Sequence, residues 1–242
     1  MAHAVVTRDS EAARSYAAAL APLGLTVVAM PVTRTAPPQD PQALAAALAA
    51  EHDAVVCASA RAAEALAAAP PHAPIWAVGP ATARRLAELG IAAVVPPGAR
   101  DGATLAAAMI AHGRVAGARI LVPRAEDGRD DAIAALRAAG AIVTDVVAYR
   151  TVPTPGADPA VAEGRELLAT GRAAICAVFA PSQVRALDGI LPIHTIATRF
   201  IAIGETTAAA LAAAGVATAA VASTPTPEGI ANAVASVYPQ RR

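Results

Sequence analysis

The chain has 242 residues, 56% of them hydrophobic, enough to bury one large core or two small ones. Nineteen basic and nineteen acidic residues cancel, so neither nucleic acid nor an acidic membrane surface is an expected partner. Every one of the nineteen basic residues is arginine, and with no lysine anywhere the chemistries of the Schiff-base lysine and the P-loop lysine are excluded.

Read in chain order, short apolar runs alternate with Ala/Leu-rich helical stretches. "HAVVTR" is a strand, and "SEAARSYAAALAPLG" a helix with Ser10 as its expected N-cap and Gly24 near its end. "LTVVAMPV" is a strand, "PQALAAALAA" a helix, "DAVVCAS" a strand and "ARAAEALAAA" a helix. "PIWAVG" leads into "PATARRLAELG", a helix with proline in its first turn and glycine at its end. "IAAVVPP" and "DGATLAAAMIAHG" complete a strand and a helix. This alternation predicts parallel sheets covered by helices. The uncharged stretch 206–224 is Ala/Thr-rich and interrupted by Gly215, so it reads as helix, turn and strand rather than a membrane span. The N-terminus has no signal-peptide pattern, and the expected location is cytoplasmic.

The second half repeats the first. "AVVTRDSEAA" at 4–13 parallels "ILVPRAEDGR" at 120–129, and Arg8/Arg124, Gly24/Gly140 and Arg34/Arg150 are each 116 apart. "AVGPATARRLAELG" parallels "AIGETTAAALAAAG", with Gly79/Gly204, Thr82/Thr207 and Gly90/Gly215 125 apart. A constant offset over several elements indicates an internal duplication, with about nine extra residues in the second copy. Two proline-flanked extended segments, "MPVTRTAPP" (30–38) and "VAYRTVPTP" (147–155), fall at equivalent points of the two copies. If both are crossings between domains, one domain is 1–34 plus 154–242 and the other 35–153, joined by a two-stranded linker with a cleft suited to a small molecule.

The pattern with most chemical content is G-x-x-T at a strand-to-helix turn, present twice as "VGPAT" and "IGETT". Gly79 and Gly204 allow a tight turn and a close backbone approach, and the following helix N-terminus favours an anion. Thr82 and Thr207 either add hydroxyl donors or cap their helices. The turns holding Ser59 and Ser182 belong to the same sheet edges, where ligands of parallel sheets bind. Arg8, at the end of the first strand, suits a carboxylate, or else an ordinary ion pair. Tyr149 in the second crossing is a hydroxyl donor facing the cleft, or a ring packed between domains. "AEDGRDD" lacks metal-ligand spacing, the histidines form no HxH or HExxH, and Cys57 and Cys176 sit in apolar runs as buried thiols. With GxSxG and GxGxxG absent, neither a nucleophile elbow nor a dinucleotide cofactor is expected.

Taken together, "VVTR", "AVGPATARRLAELG", "ILVPRAEDGRDDAIAALRAAGA", "VVAYRTVP", "VFAPSQVRAL", "AIGETTAAALAAAG" and "PTPEGIANAV" resemble the uroporphyrinogen-III synthase family over essentially the whole chain. The resemblance implies two flavodoxin-like α/β domains on a two-stranded β-linker, the first domain discontinuous. It implies a monomeric enzyme that cyclises hydroxymethylbilane with loss of water and inversion of ring D, without metal or organic cofactor. Porphobilinogen deaminase is the implied source of that substrate, by a transient handover. By the same resemblance Tyr149 assists departure of the hydroxyl, while Thr82, Thr207 and Ser182 match substrate-binding positions. Here Ala180 stands where a serine is common, and "ASAR" (58–61) stands where a Thr-Ser-x-Asn-like turn is common. The rival reading is a catalytically silent module of the same fold that binds a tetrapyrrole or another polyanion for regulation. A two-lobed solute-binding protein is disfavoured by the lack of a signal peptide.

Overall fold

The structure, a computed structural model, describes residues 2–113 and 115–238. Its strands are β1 (Ala2–Val6), β2 (Leu25–Ala29), β3 (Thr33–Ala36), β4 (Ala54–Cys57), β5 (Ile75–Ala77), β6 (Ala93–Val94), β7 (Arg119–Ala125), β8 (Ile142–Pro153), β9 (Ala173–Val178), β10 (Arg199–Ala202) and β11 (Thr218–Val221). Its helices are α1 (Ser10–Leu20), α2 (Pro41–Ala49), α3 (Ala60–Ala68), α4 (Gly79–Glu88) and α5 (Gly102–Ala111). They continue with α6 (Asp131–Ala138), α7 (Pro159–Ala169), α8 (Pro181–Ile190), α9 (Glu205–Ala213) and α10 (Pro227–Val237).

The strands form two sheets, ordered β11-β10-β9-β1-β2 and β3-β8-β7-β4-β5-β6. The first is a five-stranded doubly wound order, and the second repeats it with β3 added beyond β8. The pairings of β1, β2, β9, β10 and β11, and of β4 to β8, are parallel. The duplication survives in the register, since β1 and β2 pair residues 23 apart (Ala2 with Leu25) and so do β7 and β8 (Arg119 with Ile142). Apart from β3, each sheet therefore takes two strands from one copy of the repeat (β1 and β2, or β7 and β8) and three from the other (β9 to β11, or β4 to β6). The chain divides accordingly into two compact units, Met1–Arg34 with Val152–Arg242, and Thr35–Thr151.

Each sheet is covered on both faces, which explains the continuous apolar runs of β4 and β9. In the first unit one core gathers Val5, Met30, Leu187 and Phe200, and the other Val6, Leu20, Ile175 and Val234. In the second unit the two cores centre on Val55, Leu66 and Leu86, and on Val56, Leu105, Ile120 and Leu136. With so few large rings, alanine sets the close helix–sheet spacing. At Gly164 of α7 even a methyl group is too much, because a Cβ there would lie 2.7 Å from Met30.

The two proline-flanked segments lie side by side. Thr154 donates its N–H to Val32 O (2.8 Å) and its hydroxyl to Pro31 O (2.6 Å), and Arg150 Nε donates to Pro37 O (2.9 Å). One cap differs from expectation: Asp9, not Ser10, accepts from the first turn of α1, at Ala12 N. The carboxylate one residue earlier already sits in the extended conformation a cap needs.

Candidate active site

In a doubly wound sheet the strand order reverses between the first and third strands, and ligands bind beyond their carboxyl ends. That reversal falls between β7 and β4 in the second unit and between β1 and β9 in the first.

In the second unit the position is occupied by Ser59 and Tyr149. Ser59 is the N-cap of α3, and its Oγ accepts from Ala62 N (3.1 Å). The same Oγ is 3.2 Å from the Tyr149 hydroxyl, and either atom can be the donor. Tyr149 is half-buried within β8, so its backbone is held by the ladder that ends at Ala125–Tyr149. The pair lines a cavity of about 300 Å³ with Arg100, Asp101, Arg124 and Arg129. Tyr149 also walls a second cavity of about 510 Å³, lined by Pro37, Leu44, Arg61 and Ala65. A phenol whose oxygen is gripped by a helix cap is a positioned proton donor.

Arg124, in the same cavity, is committed internally. Its Nε and Nη2 bind both oxygens of Asp145 (2.7 and 3.1 Å), and Nη1 reaches the carbonyls of Ala125, Glu126 and Gly128. The hydrogen bonds Arg124 donates to Asp145 hold the guanidinium pKa above its usual value. A charged residue in the middle of an apolar strand, Asp145, was the available sequence signal for this pair.

In the first unit the equivalent position holds Thr7, Arg8 and Gln183. Thr7 is buried and donates to Ala177 O (3.1 Å) and Gln183 Oε1 (2.8 Å), and Gln183 Oε1 also accepts from Phe179 N (3.0 Å). Gln183 thus ties the end of β1 to the turn before α8, a role no sequence pattern signalled. Arg8 lies over the rings of Phe179 (4.5 Å) and Tyr16 (5.8 Å).

The helices after β5, β9 and β10 share a feature. The N-caps of α4, α8 and α9 are Val78, Ala180 and Gly204, and none provides a side-chain acceptor. By contrast, side chains cap α1, α2, α3, α5, α7 and α10. Pro80 and Pro181 have no N–H, and Gln183 N and Thr207 N bond Ala180 O and Gly204 O, so only the remaining first-turn N–H groups of α4, α8 and α9 are available to an anion. Ser182 lies in the first turn of α8, half-buried, but not at the cap position Ser59 holds on α3; Ala180 occupies that position.

Thr82 and Thr207 are 6% and 1% exposed. Neither caps its helix, and neither hydroxyl bonds another group among the described residues. The two glycine turns also differ. Gly79 has φ +66°, a conformation glycine favours, whereas Gly204 is extended at φ −177°, which any residue adopts. Gly79 therefore makes a turn that suits glycine and Gly204 does not, because only Gly79 passes through the left-handed region.

Among the described residues no cluster of His, Cys, Asp and Glu has metal-site geometry, and no helix is long and apolar enough to cross a membrane. Burial pushes the Cys57 thiol up to about 11 and the Cys176 thiol to about 12, so neither is a nucleophile at neutral pH.

The family model described as uroporphyrinogen-III synthase HemD matches residues 14–232. The chain belongs to the uroporphyrinogen-III synthase family. That family is one of lyases of tetrapyrrole biosynthesis acting on a small-molecule substrate. Among solved structures, the chain is similar to the uroporphyrinogen-III synthetase of Helicobacter pylori, at 16% identity over 98% of this chain and 99% of that one, with a TM-score of 0.62. It is likewise similar to a mutant uroporphyrinogen III synthase of Thermus thermophilus, at 20% identity over 96% of both chains and a TM-score of 0.54. These likenesses establish the shared α/β fold. No curated protein matches the sequence.

Proposed function

We propose that this chain closes hydroxymethylbilane to uroporphyrinogen III, inverting ring D and releasing water. The observation that carries the reading is the family match over residues 14–232. The arrangement around Tyr149 supports it. With Ser59 as the donor of the 3.2 Å Ser59–Tyr149 hydrogen bond, the Tyr149 proton is free for the departing hydroxyl of the substrate. Water leaves, and the terminal pyrrole becomes an electrophilic azafulvene. The substituted carbon of ring D attacks it, and the spiro intermediate fragments and recloses with that ring reversed. The proton spent on the leaving hydroxyl is recovered when the new pyrrole regains aromaticity.

The uninverted isomer I forms from the same substrate without an enzyme, so selectivity comes from holding the chain ends in one geometry. The substrate's carboxylates are taken by the uncapped helix starts at Gly79, Ser182 and Gly204, the hydroxyls of Thr82 and Thr207, the Ser59 turn and Arg8. The proposal includes folding domains at 1–34 with 154–242 and at 35–153, a monomer in the cytoplasm, and handover of substrate from porphobilinogen deaminase.

The test is a coupled assay. Porphobilinogen deaminase generates hydroxymethylbilane in the presence of this protein, and the oxidised isomers are separated by chromatography. A switch from isomer I to isomer III is expected. Isomer I alone from folded protein overturns the enzymatic reading and leaves a tetrapyrrole-binding module.

A further inference from the structure

The internal duplication supplies its own control for one residue. Arg8 and Arg124 are equivalent, each two residues past an equivalent strand position, Val6 and Val122. Val6 pairs with Ala29 and Val122 with Asp145, so the two registers place Ala29 where the other sheet has the acid. Arg124 therefore has a carboxylate built into the fold, and Arg8 has none. Among the described residues Arg8 makes no ion pair and no side-chain hydrogen bond.

Arg8 is nevertheless not a loose surface side chain. It is half-buried, its Nε is enclosed without a partner, and its guanidinium lies 4.5 Å from the centroid of Phe179. Stacking fixes the plane of the fork, and enclosure of Nε leaves the two terminal nitrogens as the accessible donors. Phe179 directly precedes Ala180, the N-cap of α8 that offers no side-chain acceptor. Pro181 has no N–H and Gln183 N already bonds Ala180 O, so a cation and the Ser182 N–H stand together at the strand-order reversal of the first unit.

We infer that Arg8 is an end-on bidentate clamp for one carboxylate of the substrate, and that it favours tetrapyrroles that carry a carboxylate at that position. This rests on the proposed function and deepens it. The duplicated fold pairs one arginine with its own carboxylate and leaves its twin for the ligand. Phe179 orients the clamp, and Gln183 holds the turn that carries Phe179.

The experiment measures binding and turnover separately. Uroporphyrin III and the less carboxylated coproporphyrin III are titrated against wild type, Arg8→Gln, Arg8→Lys and Ala29→Asp, with fold checked by circular dichroism. Wild type prefers uroporphyrin. Arg8→Gln weakens uroporphyrin about tenfold to a hundredfold, the range for a charged bidentate contact, and narrows the preference. Arg8→Lys recovers little, because an ammonium neither forks nor stacks in a plane. Ala29→Asp, which restores the partner Arg124 has, reproduces the loss without touching Arg8. In the coupled assay the same variants raise KM for hydroxymethylbilane and leave kcat within a few-fold. Unchanged uroporphyrin affinity and KM in folded Arg8→Gln overturns the clamp even where wild type makes isomer III. A wild type that binds through Arg8 but yields only isomer I sinks the enzymatic reading and leaves the clamp standing.

Discussion

Removing the Ser59 hydroxyl strips two contacts at once. Its oxygen caps α3 through Ala62 N at 3.1 Å and meets the Tyr149 hydroxyl at 3.2 Å. An N-cap of this kind contributes about 1 kcal/mol, and a neutral, part-buried side-chain bond of that length about 0.5–1 kcal/mol. Ser59→Ala should therefore cost about 1.5–2 kcal/mol in the second unit, a fall in melting temperature of roughly 3–8 °C. The two contributions separate in a double-mutant cycle with Tyr149→Phe. The cap is lost in both backgrounds and cancels, so the coupling energy is that of the Ser–Tyr bond alone, about 0.5–1 kcal/mol. Thermal melts read stability, and the coupled assay reads rate. Ser59→Ala should lower kcat several-fold with KM little changed, and Ser59→Thr, which keeps the hydroxyl, should restore most of it. A coupling energy near zero, or equal kcat losses in Ser59→Ala and Ser59→Thr, would refute the argument that Ser59 orients the phenol.

Other substitutions probe the remaining geometry. Gly79→Ala should destabilise by about 1–2 kcal/mol because φ is +66°, whereas Gly204→Ala at φ −177° should cost only about 0.5 kcal/mol from weaker capping; melts of the two variants compare them directly. Thr7→Val removes buried bonds to Ala177 O and Gln183 Oε1 and should cost about 1–3 kcal/mol in denaturant titration; a near-neutral result would show that the Thr7–Gln183 tie is unimportant. The thiols of Cys57 and Cys176, raised to about 11 and about 12 by burial, stay protonated up to about pH 9, so Ellman's reagent should find neither in native protein at pH 8 and both after denaturation. Rapid native labelling would mean that β4 or β9 opens readily.

Much of the candidate site's placement was legible because the relevant patterns are local. Strand–glycine–helix turns mark sheet edges, and the turns of Ser59, Gly79, Ser182 and Gly204 do lie at strand-to-helix junctions. The offset of 116 is visible again in the 23-residue register shared by β1/β2 and β7/β8, and that of 125 in the pairing of Ile75 with Ala93 and of Phe200 with Thr218, each 18 residues apart. Contacts between residues remote in sequence were not legible. Ser59 meets Tyr149 across 90 residues, and Thr7 meets Gln183 across 176. Gln183 carries no sequence signature at all, because an amide in the first turn of a helix is ordinary until the strand it reaches is known.

The sequence by itself determined the alternation of strands and helices and the duplication, since periodicity and offset depend on neighbours along the chain. It also determined which side chains stand at the strand-to-helix turns. Only tertiary structure decided which half of one repeat completes the sheet of the other, because the two copies carry nearly interchangeable apolar strands. It also decided that Gly79 needs its glycine while Gly204 does not, since only Gly79 turns through positive φ. The fates of Arg8 and Arg124 were settled the same way. Identical in type and position within the repeat, they differ because a strand register puts Asp145 beside one and Ala29 beside the other.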